Sequence, residues 1–495
     1  MKRLMLVWVM ILCLVPLGGW AEEETATALY PIRENGLWGY MNRAGEVVIE
    51  PQWITAEAFS DGWAIVESED GMGLIDTSGM YAIQPSDSIQ IEEDAHAYTI
   101  YDQSLEGYGF FDKGSGFYQE PLTDYEMMIL WDEDGKGPIA VRNKDYLTGY
   151  VSRTTGETVI PFCYTGESED AAFNEGYALA ANLTWLDEND VWHEVLPDGE
   201  PIPDNDDEIW GMSWRYYLID TAGKAVRFPE GLEPYTGVRQ GALVIHPDSS
   251  IQWDIPEDQE EDTEDLFDRF GIARPDGTII LEPQPLYYLW EPDSEGMLCY
   301  VDPGKANCGH MNLNGEIIVS AKCSIETGGM PRYTFVNGYA VINDIGDNWP
   351  NTERWVILDT AGTEVFTRPA KAEDGTVFRV CGDIVLKNGL FWCEEANGYS
   401  LMRLTDHGTE RVSDTGFEAS LGCGYYEYGE GIEFCEGLHP VKRDGLWGYI
   451  DEKAQWVIPP QYNSAASFSD GLALVEKDGK LMYIDHGGAV VWEEK

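Results

Sequence analysis

Short apolar runs separated by glycine-containing turns recur along the whole chain. Asn35-Gly36-Leu37-Trp38-Gly39-Tyr40-Met41-Asn42 is echoed by Asp444-Gly445-Leu446-Trp447-Gly448-Tyr449-Ile450-Asp451. Both continue alike, through Val47-Val48-Ile49-Glu50-Pro51-Gln52-Trp53 and Trp456-Val457-Ile458-Pro459-Pro460-Gln461-Tyr462, then Phe59-Ser60-Asp61-Gly62 and Phe468-Ser469-Asp470-Gly471. Each copy reads as a short apolar strand, a turn led by Asp or Asn, and a β-branched strand such as Val47–Ile49, which predicts a β-hairpin. The Asp or Asn side chain bonds the turn backbone and the glycine supplies positive φ, so both residue types have structural work. Weaker copies keep a Gly-x-x-Asp/Asn-x-x-Gly core at Gly73/Asp76/Gly79 and Gly309/Asn312/Gly315, and part of it at Asp220/Gly223, Asp359/Gly362 and Asp485/Gly488. Looser versions start at Gly109, Gly149, Gly271 and Met402, which makes about eleven units.

Spacing adds a prediction about loops. From Gly62 to Gly73, Gly437 to Gly448 and Gly471 to Met482 the interval is 11 residues, and a constant interval means a fixed hairpin register. In three units it swells, to 41 residues between Gly176 and Tyr217, 30 between Gly241 and Gly271, and 18 between Gly338 and Val356. These insertions therefore occupy one topological place, and in a stacked array equivalent loops project from one rim. The two longest, placed at 181–214 and 246–266, hold the most acidic stretches: 187–208 and 248–268 each carry ten carboxylates and no Lys or Arg.

A lone two-stranded hairpin is marginal in water, so each unit must stack its Trp, Tyr, Ile and Val on its neighbours. Aromatics burying ~150–250 Å² each supply the driving force. The fold class predicted is all-β, an array of about eleven short antiparallel hairpin repeats, either propeller-like or an open β-superhelix. Eleven units exceed the usual four to eight blades of a propeller, which keeps the open form in play.

The Trp-Gly pair, the Tyr-hydrophobic-Asp that follows, the Ile-x-Pro step and the Phe-x-Asp-Gly-x-Ala-x-Val strand together resemble the WG-repeat family of bacterial exported proteins. The match is close over 32–85 and 441–491. Between them Tyr108-Gly109, Thr148-Gly149 and Cys308-Gly309 replace the Trp-Gly pair. The resemblance implies an all-β repeat fold with a binding or scaffold role, and it carries over no catalytic residues. The structural repeat positions are Trp38, Gly39, Gly73, Gly149, Trp447 and Gly448, and both tryptophans are expected in the core.

At the N-terminus Lys2 and Arg3 precede an apolar run from Leu4 to Leu17, then Gly19 and Ala21 sit where a signal peptidase needs small residues. Residues 1–21 are read as a signal peptide, 22–29 as a short acidic linker and 30–495 as the repeat array. The apolar run is shorter than the ~20 residues that span a bilayer, so no membrane insertion is expected after cleavage. The protein is expected to be secreted or held at the cell envelope. No LPxTG signal or C-terminal apolar tail follows Trp492. The formal charge of −58 becomes −60 once Lys2 and Arg3 leave with the leader. Such a surface repels phosphate backbones and excludes nucleic acid, while apolar content of 43% excludes a disordered acidic tail. The charge keeps an exported monomer soluble.

No HExxH, CxxC, GxSxG or Walker-type motif occurs, and the seven histidines are scattered singly. The chain is read as non-catalytic and without a cofactor. Asp204, Asp206 and Glu208 alternate as in a calcium loop but lack its glycine and distal glutamate, which leaves weak Ca²⁺ binding as the metal reading. Export makes disulfides chemically possible. Cys381 and Cys393, like Cys423 and Cys435, lie 12 residues apart, a spacing that suits bridges within a repeat or reduced, buried thiols alike. The function predicted is an extracellular scaffold that binds a protein or cell-envelope partner through one rim. Candidate rim residues are Trp185, Trp192, Trp210, Trp253, Glu260, Glu261 and Asp262. The alternative is a carbohydrate- or cell-wall-binding module in which those inserted tryptophans are exposed and stack on sugar rings.

Overall fold

The computed structural model describes residues 28–129, 134–165, 171–186, 192–194, 211–247, 269–286, 288–302, 307–324, 334–344, 353–371, 377–381, 385–405, 408–413, 416–423 and 432–495. Among them 41 strands form eleven small antiparallel sheets, eight of four strands and three of three. In chain order the sheets, numbered 1 to 11, span 29–53, 55–86, 89–122, 125–164, 177–220, 232–285, 288–324, 339–369, 379–411, 419–462 and 464–493. Sheet 2 gives the plan. A short strand a (Thr55–Ala56) is followed by strands b (Trp63–Ser68), c (Gly71–Asp76) and d (Tyr81–Ser86), each bonded to the one before. The repeat unit of the sequence is thus the b–c–d part of a sheet, to which most sheets add strand a.

Turn chemistry follows the residues. The b–c turns Asn35-Gly36, Asp444-Gly445 and Asp478-Gly479 have positive φ at both positions, the two-residue form whose twist matches that of the strands it joins. In the c–d turns Asn42, Asp76, Asp220, Asn312, Asp359, Asp451 and Asp485 each accept backbone N–H bonds from the residues two and four further on. At Asp76 partial burial pushes the carboxyl pKa up, but bonds from the Ser78 hydroxyl and from backbone N–H groups outweigh it and hold the pKa low.

The repeat glycine has a separate cause. Trp38 pairs with Trp53 and Tyr40 with Ile49, so three residues of strand d, Glu50-Pro51-Gln52, stand opposite Gly39 alone. This bulge presses strand d onto strand c: a Cβ on Gly39 would lie 2.5 Å from the Ile49 carbonyl oxygen and 2.6 Å from the Pro51 nitrogen. Gly448 meets the Ile458 oxygen and Pro460 nitrogen at 2.5 and 2.7 Å in the same way. Gly73, Gly109, Gly271 and Gly309 face the same approach. The proline of the Ile-x-Pro step sits in the bulge, where no ladder bond is asked of its nitrogen.

Eleven buried apolar clusters join the sheets, one per interface. Along strand b of sheet 2, Ala64 and Val66 pack with Tyr40 and Trp53 of sheet 1. Ile65, between them, packs with Tyr98 and Ile100 of sheet 3. This is the period-two alternation of a strand buried on both faces. The succession continues through every neighbouring pair. Its last member joins sheet 11 to sheet 1: Leu472, Tyr483 and Trp492 pack against Tyr30, Ile32 and Met41. The same seam carries hydrogen bonds from the Tyr30 hydroxyl to the Asp470 carbonyl and from the Tyr483 hydroxyl to the Pro31 carbonyl. It also carries the ion pairs Arg33–Glu494 at 2.7 Å and Lys495–Glu34 at 2.9 Å. Neighbour-to-neighbour packing therefore runs from the eleventh sheet back to the first, as in the propeller-like form of the two predicted.

The tryptophans of the Trp-Gly pair correct one expectation. Trp38 and Trp447 are half-buried, with the Arg33 guanidinium 5.7 Å from the Trp38 ring. They stand near the start of strand c, beside the b–c turn, where the neighbouring sheet covers only one side. The fully buried repeat aromatics are the tyrosines two positions on. Tyr40 and Tyr449 are 0% exposed and donate to the Glu57 and Ala466 carbonyls at 2.7 Å, tying each sheet to the chain that enters the next.

Candidate interaction rims

Because b and c are antiparallel, all b–c hairpins lie on one rim of the array, and the a–b loops and c–d turns lie on the other. The three long intervals all fall between strands b and c: between Tyr177–Leu186 and Gly211–Asp220, between Leu243–Pro247 and Arg269–Ala273, and between Tyr339–Asp344 and Arg354–Asp359. The topological equivalence read from spacing is therefore present in the strand pairing. The insertion bounds need correction. Pairing continues unbroken from Tyr177↔Asp220 to Leu186↔Gly211, so 181–186 and 211–214 extend the hairpin. Strands b and c are ten residues long here against six in sheet 2, which carries the hairpin roughly 13 Å beyond the rim at ~3.3 Å per residue.

Of the candidate residues, Asp204, Asp206, Glu208, Trp210, Trp253, Glu260, Glu261 and Asp262 lie outside the described residues. Trp192 is on a short strand, Trp192–Glu194, paired opposite Leu186. Trp185 is 7% exposed and its ring stacks on His193 at 4.4 Å, so it packs the extended hairpin instead of facing solvent. Among the described residues of that hairpin the exposed tryptophan is Trp214, opposite Leu183.

The other rim is knitted by its own turns. Glu175, in the loop before sheet 5 strand b, accepts N–H bonds from Gln240 and Gly241 of the next loop at 2.7 and 2.9 Å. Glu295 accepts from Gly338, and Glu436 from Gly471, in the same manner. A cavity of about 730 Å³ opens here across sheets 2 to 4, lined by Asp61, His96, Asp112, Lys113, Lys136 and Arg153 among others. Lys113 has 3% of its side chain exposed. Its ammonium bonds Glu93, the Ser60 hydroxyl and the Ala95 carbonyl, and lies 4.9 Å from the Tyr98 ring centre. Burial would raise the Glu93 pKa, yet the bonds from Lys113 and Ser60 hold it low. Arg153 pairs with Asp112 at 3.5 Å and bonds the Gly137 carbonyl. This set of paired charges was not foreseen, since nothing in the spacing of Lys113 and Arg153 brings them together. Through the Lys113–Ser60 and Arg153–Asp112 contacts these charges link sheets 2, 3 and 4.

One arrangement has the form of a nucleophile and base. Ser420 Oγ lies 2.8 Å from His439 Nε2, and His439 Nδ1 is 3.0 Å from the Glu433 carbonyl. Both residues are buried, at 4% and 0% exposure, against Trp392 and Phe434. Burial lowers the His439 pKa to about 4, so its imidazole is neutral at pH 7. Among the described residues no group of three or more His, Cys, Asp or Glu is placed to hold a metal ion.

The WG containing repeat matches at residues 38–71 and 447–480, from the Trp-Gly pair of one sheet to the b–c turn of the next. Two units of the chain are therefore WG containing repeats. In each matched WG unit the tryptophan is half-buried, the glycine admits the bulge and the following tyrosine fills the interface. No curated protein matches the chain in sequence. Among solved structures the chain is similar to a eukaryotic initiation factor, at 11% identity and TM-score 0.39, over 88% of this chain and 96% of that one. It is similar also to Kluyveromyces lactis Hsv2p, at 7% identity and TM-score 0.29, over 65% and 96%, and to the computationally designed Ika8 protein, at 10% identity and TM-score 0.27, over 70% and 93%. At such scores the WG units themselves, and not these likenesses, carry the description of the fold.

Proposed function

We propose that this protein is an exported, non-catalytic scaffold that engages a protein or cell-envelope partner through the hairpin rim. The observation that carries this reading is the placement of all three long insertions in b–c hairpins, two of them with ten uncompensated carboxylates each. Twenty carboxylates on loops of neighbouring sheets concentrate negative potential within a few Debye lengths of ~8 Å, which suits a cationic partner and makes binding salt-sensitive. The ring supplies a support, and strands b and c of sheet 5 extend beyond those of sheet 2. The burial of Trp185 weighs against a sugar-stacking platform there.

The experiment excises 187–210 and 248–268 and closes each hairpin with Asn-Gly. Parent and double deletion are titrated with polylysine and with calcium at low and physiological salt. The reading expects an intact fold and loss of salt-sensitive polylysine binding in the deletion. Equal binding by both proteins would make the loops solubilising surface and overturn it.

A further inference from the structure

Two thiols from different 12-residue pairs meet in the interface between sheets 9 and 10. Cys381 follows strand a of sheet 9, Arg379–Val380, and Cys423 follows strand a of sheet 10, Ala419–Ser420. They occupy equivalent a–b loops of adjacent sheets. Cys381 is 0% and Cys423 1% exposed, in one apolar cluster with Trp392, Leu401 and Val441. The two thiols are neighbours in that cluster, and the proximity of Cys423, before burial, pushes the Cys381 pKa far up. The Arg379 guanidinium donates to the Cys423 carbonyl at 2.9 Å and holds the second loop against the first. Cys393, the partner suggested by spacing, is on the other face of sheet 9. It packs with Val341 and Phe391 in the interface with sheet 8, so a Cys381–Cys393 bridge would have to pass through the sheet.

We propose that Cys381 and Cys423 form a disulfide that staples sheet 9 to sheet 10. Cys381, Cys393 and Cys423 are free thiols in this structure. The bond forms while the interface is still open, because a thiol buried in apolar surroundings is a poor nucleophile. One cysteine, as thiolate, attacks an external disulfide and releases one thiol from it. The second thiolate then displaces the other half of the oxidant from the mixed disulfide. Each cysteine thiol gives up its proton to form the thiolate, the pair loses two electrons, and the external disulfide is reduced to two thiols. The loop so closed contains the other three strands of sheet 9, Leu390–Glu395, Gly398–Thr405 and Gly408–Arg411, so the bond restricts the unfolded chain over a whole repeat.

This inference uses the export reading only as the source of the oxidant in the cell, and the test separates the two. The full chain is refolded from denaturant with oxidised glutathione, digested without reduction and analysed by mass spectrometry. A peptide linked through Cys381 and Cys423 is expected, absent from Cys381→Ser and from Cys423→Ser and retained in Cys393→Ser. Adding a reductant is expected to lower the parent melting midpoint by several degrees and to leave both serine variants at the midpoints they have without it. Full alkylation of both thiols after denaturing the oxidised protein, or linkage of Cys381 to Cys393, overturns the pairing whatever the cellular location. Comparing the linked peptide in protein from the medium and from lysed cells then tests export on its own.

Discussion

Alanine at Gly448 isolates the reason for the glycine of the Trp-Gly pair. A methyl there must occupy space 2.5 Å from the Ile458 carbonyl oxygen and 2.7 Å from the Pro460 nitrogen, both backbone atoms of the bulged strand. Relief needs strand d to move out by about 0.5–1 Å, since carbon–oxygen contacts below ~3 Å are repulsive. That movement loosens Ile458 and Tyr462 in the sheet 10–11 cluster. Overpacking of this kind costs about 1–3 kcal/mol, and the rigidity of backbone on both sides places Gly448→Ala at the upper end. Gly445→Ala is the control. Its Cβ meets nothing within 4 Å, but φ is +78°, so only left-handed strain of about 1 kcal/mol is expected. The assay is urea unfolding followed by tryptophan fluorescence, with amide exchange over 446–462 as the local readout because a repeat array need not unfold in one step. Gly448→Ala should lower the midpoint more than Gly445→Ala and speed exchange along strand d. A Gly448→Ala protein with the stability of the parent would refute the bulge as the cause of the glycine.

Burial ranks the tryptophans in a second test. Trp392→Ala, at a fully buried side chain, is expected to cost about 3–5 kcal/mol, and Trp38→Ala, half-buried at a strand end, clearly less, read as midpoint shifts in the same assay. His439 gives a pH signature. Its folded pKa of about 4 lies below the ~6.5 of an unfolded histidine, so the unfolded chain binds the extra proton. Its contribution is whole above about pH 6.5 and is lost as pH falls towards 4. Between pH 7 and pH 5 the parent should lose about 2 kcal/mol more than His439→Gln, and an identical pH profile for the two would contradict the assignment.

Much of this architecture was legible in the residues. The b–c and c–d turns were, because Asn35-Gly36 and Asp76 act through their own backbone and need no distant partner. The shared place of the insertions was legible too, because spacing along a repeat is a local quantity. The depth of Trp38 was not. Burial depends on where along strand c a residue meets the next sheet, and Tyr40, two residues on, takes the central place. Cysteine spacing left the pairing open for a related reason: Cys381 and Cys393 are close in sequence yet serve opposite faces of one sheet. Lys113 and Arg153 sit 40 residues apart in different sheets, and only the stacking of sheet 4 on sheet 3 brings Asp112 within reach of Arg153. Closure is the extreme case, since Tyr30 and Trp492 carry no mark in the sequence of their contact.

That contact is the most direct test of the account. Lys495 Nζ lies 2.9 Å from Glu34 Oε1, with Arg33 and Glu494 paired beside them. Treating dilute monomer with a zero-length carbodiimide and sequencing the linked peptides by mass spectrometry reads the seam. A ring of eleven sheets predicts an intramolecular amide between Lys495 and Glu34, lost in Glu34→Gln and insensitive to protein dilution. Absence of that link in folded protein, or its appearance only between molecules, would contradict closure and return the array to an open superhelix.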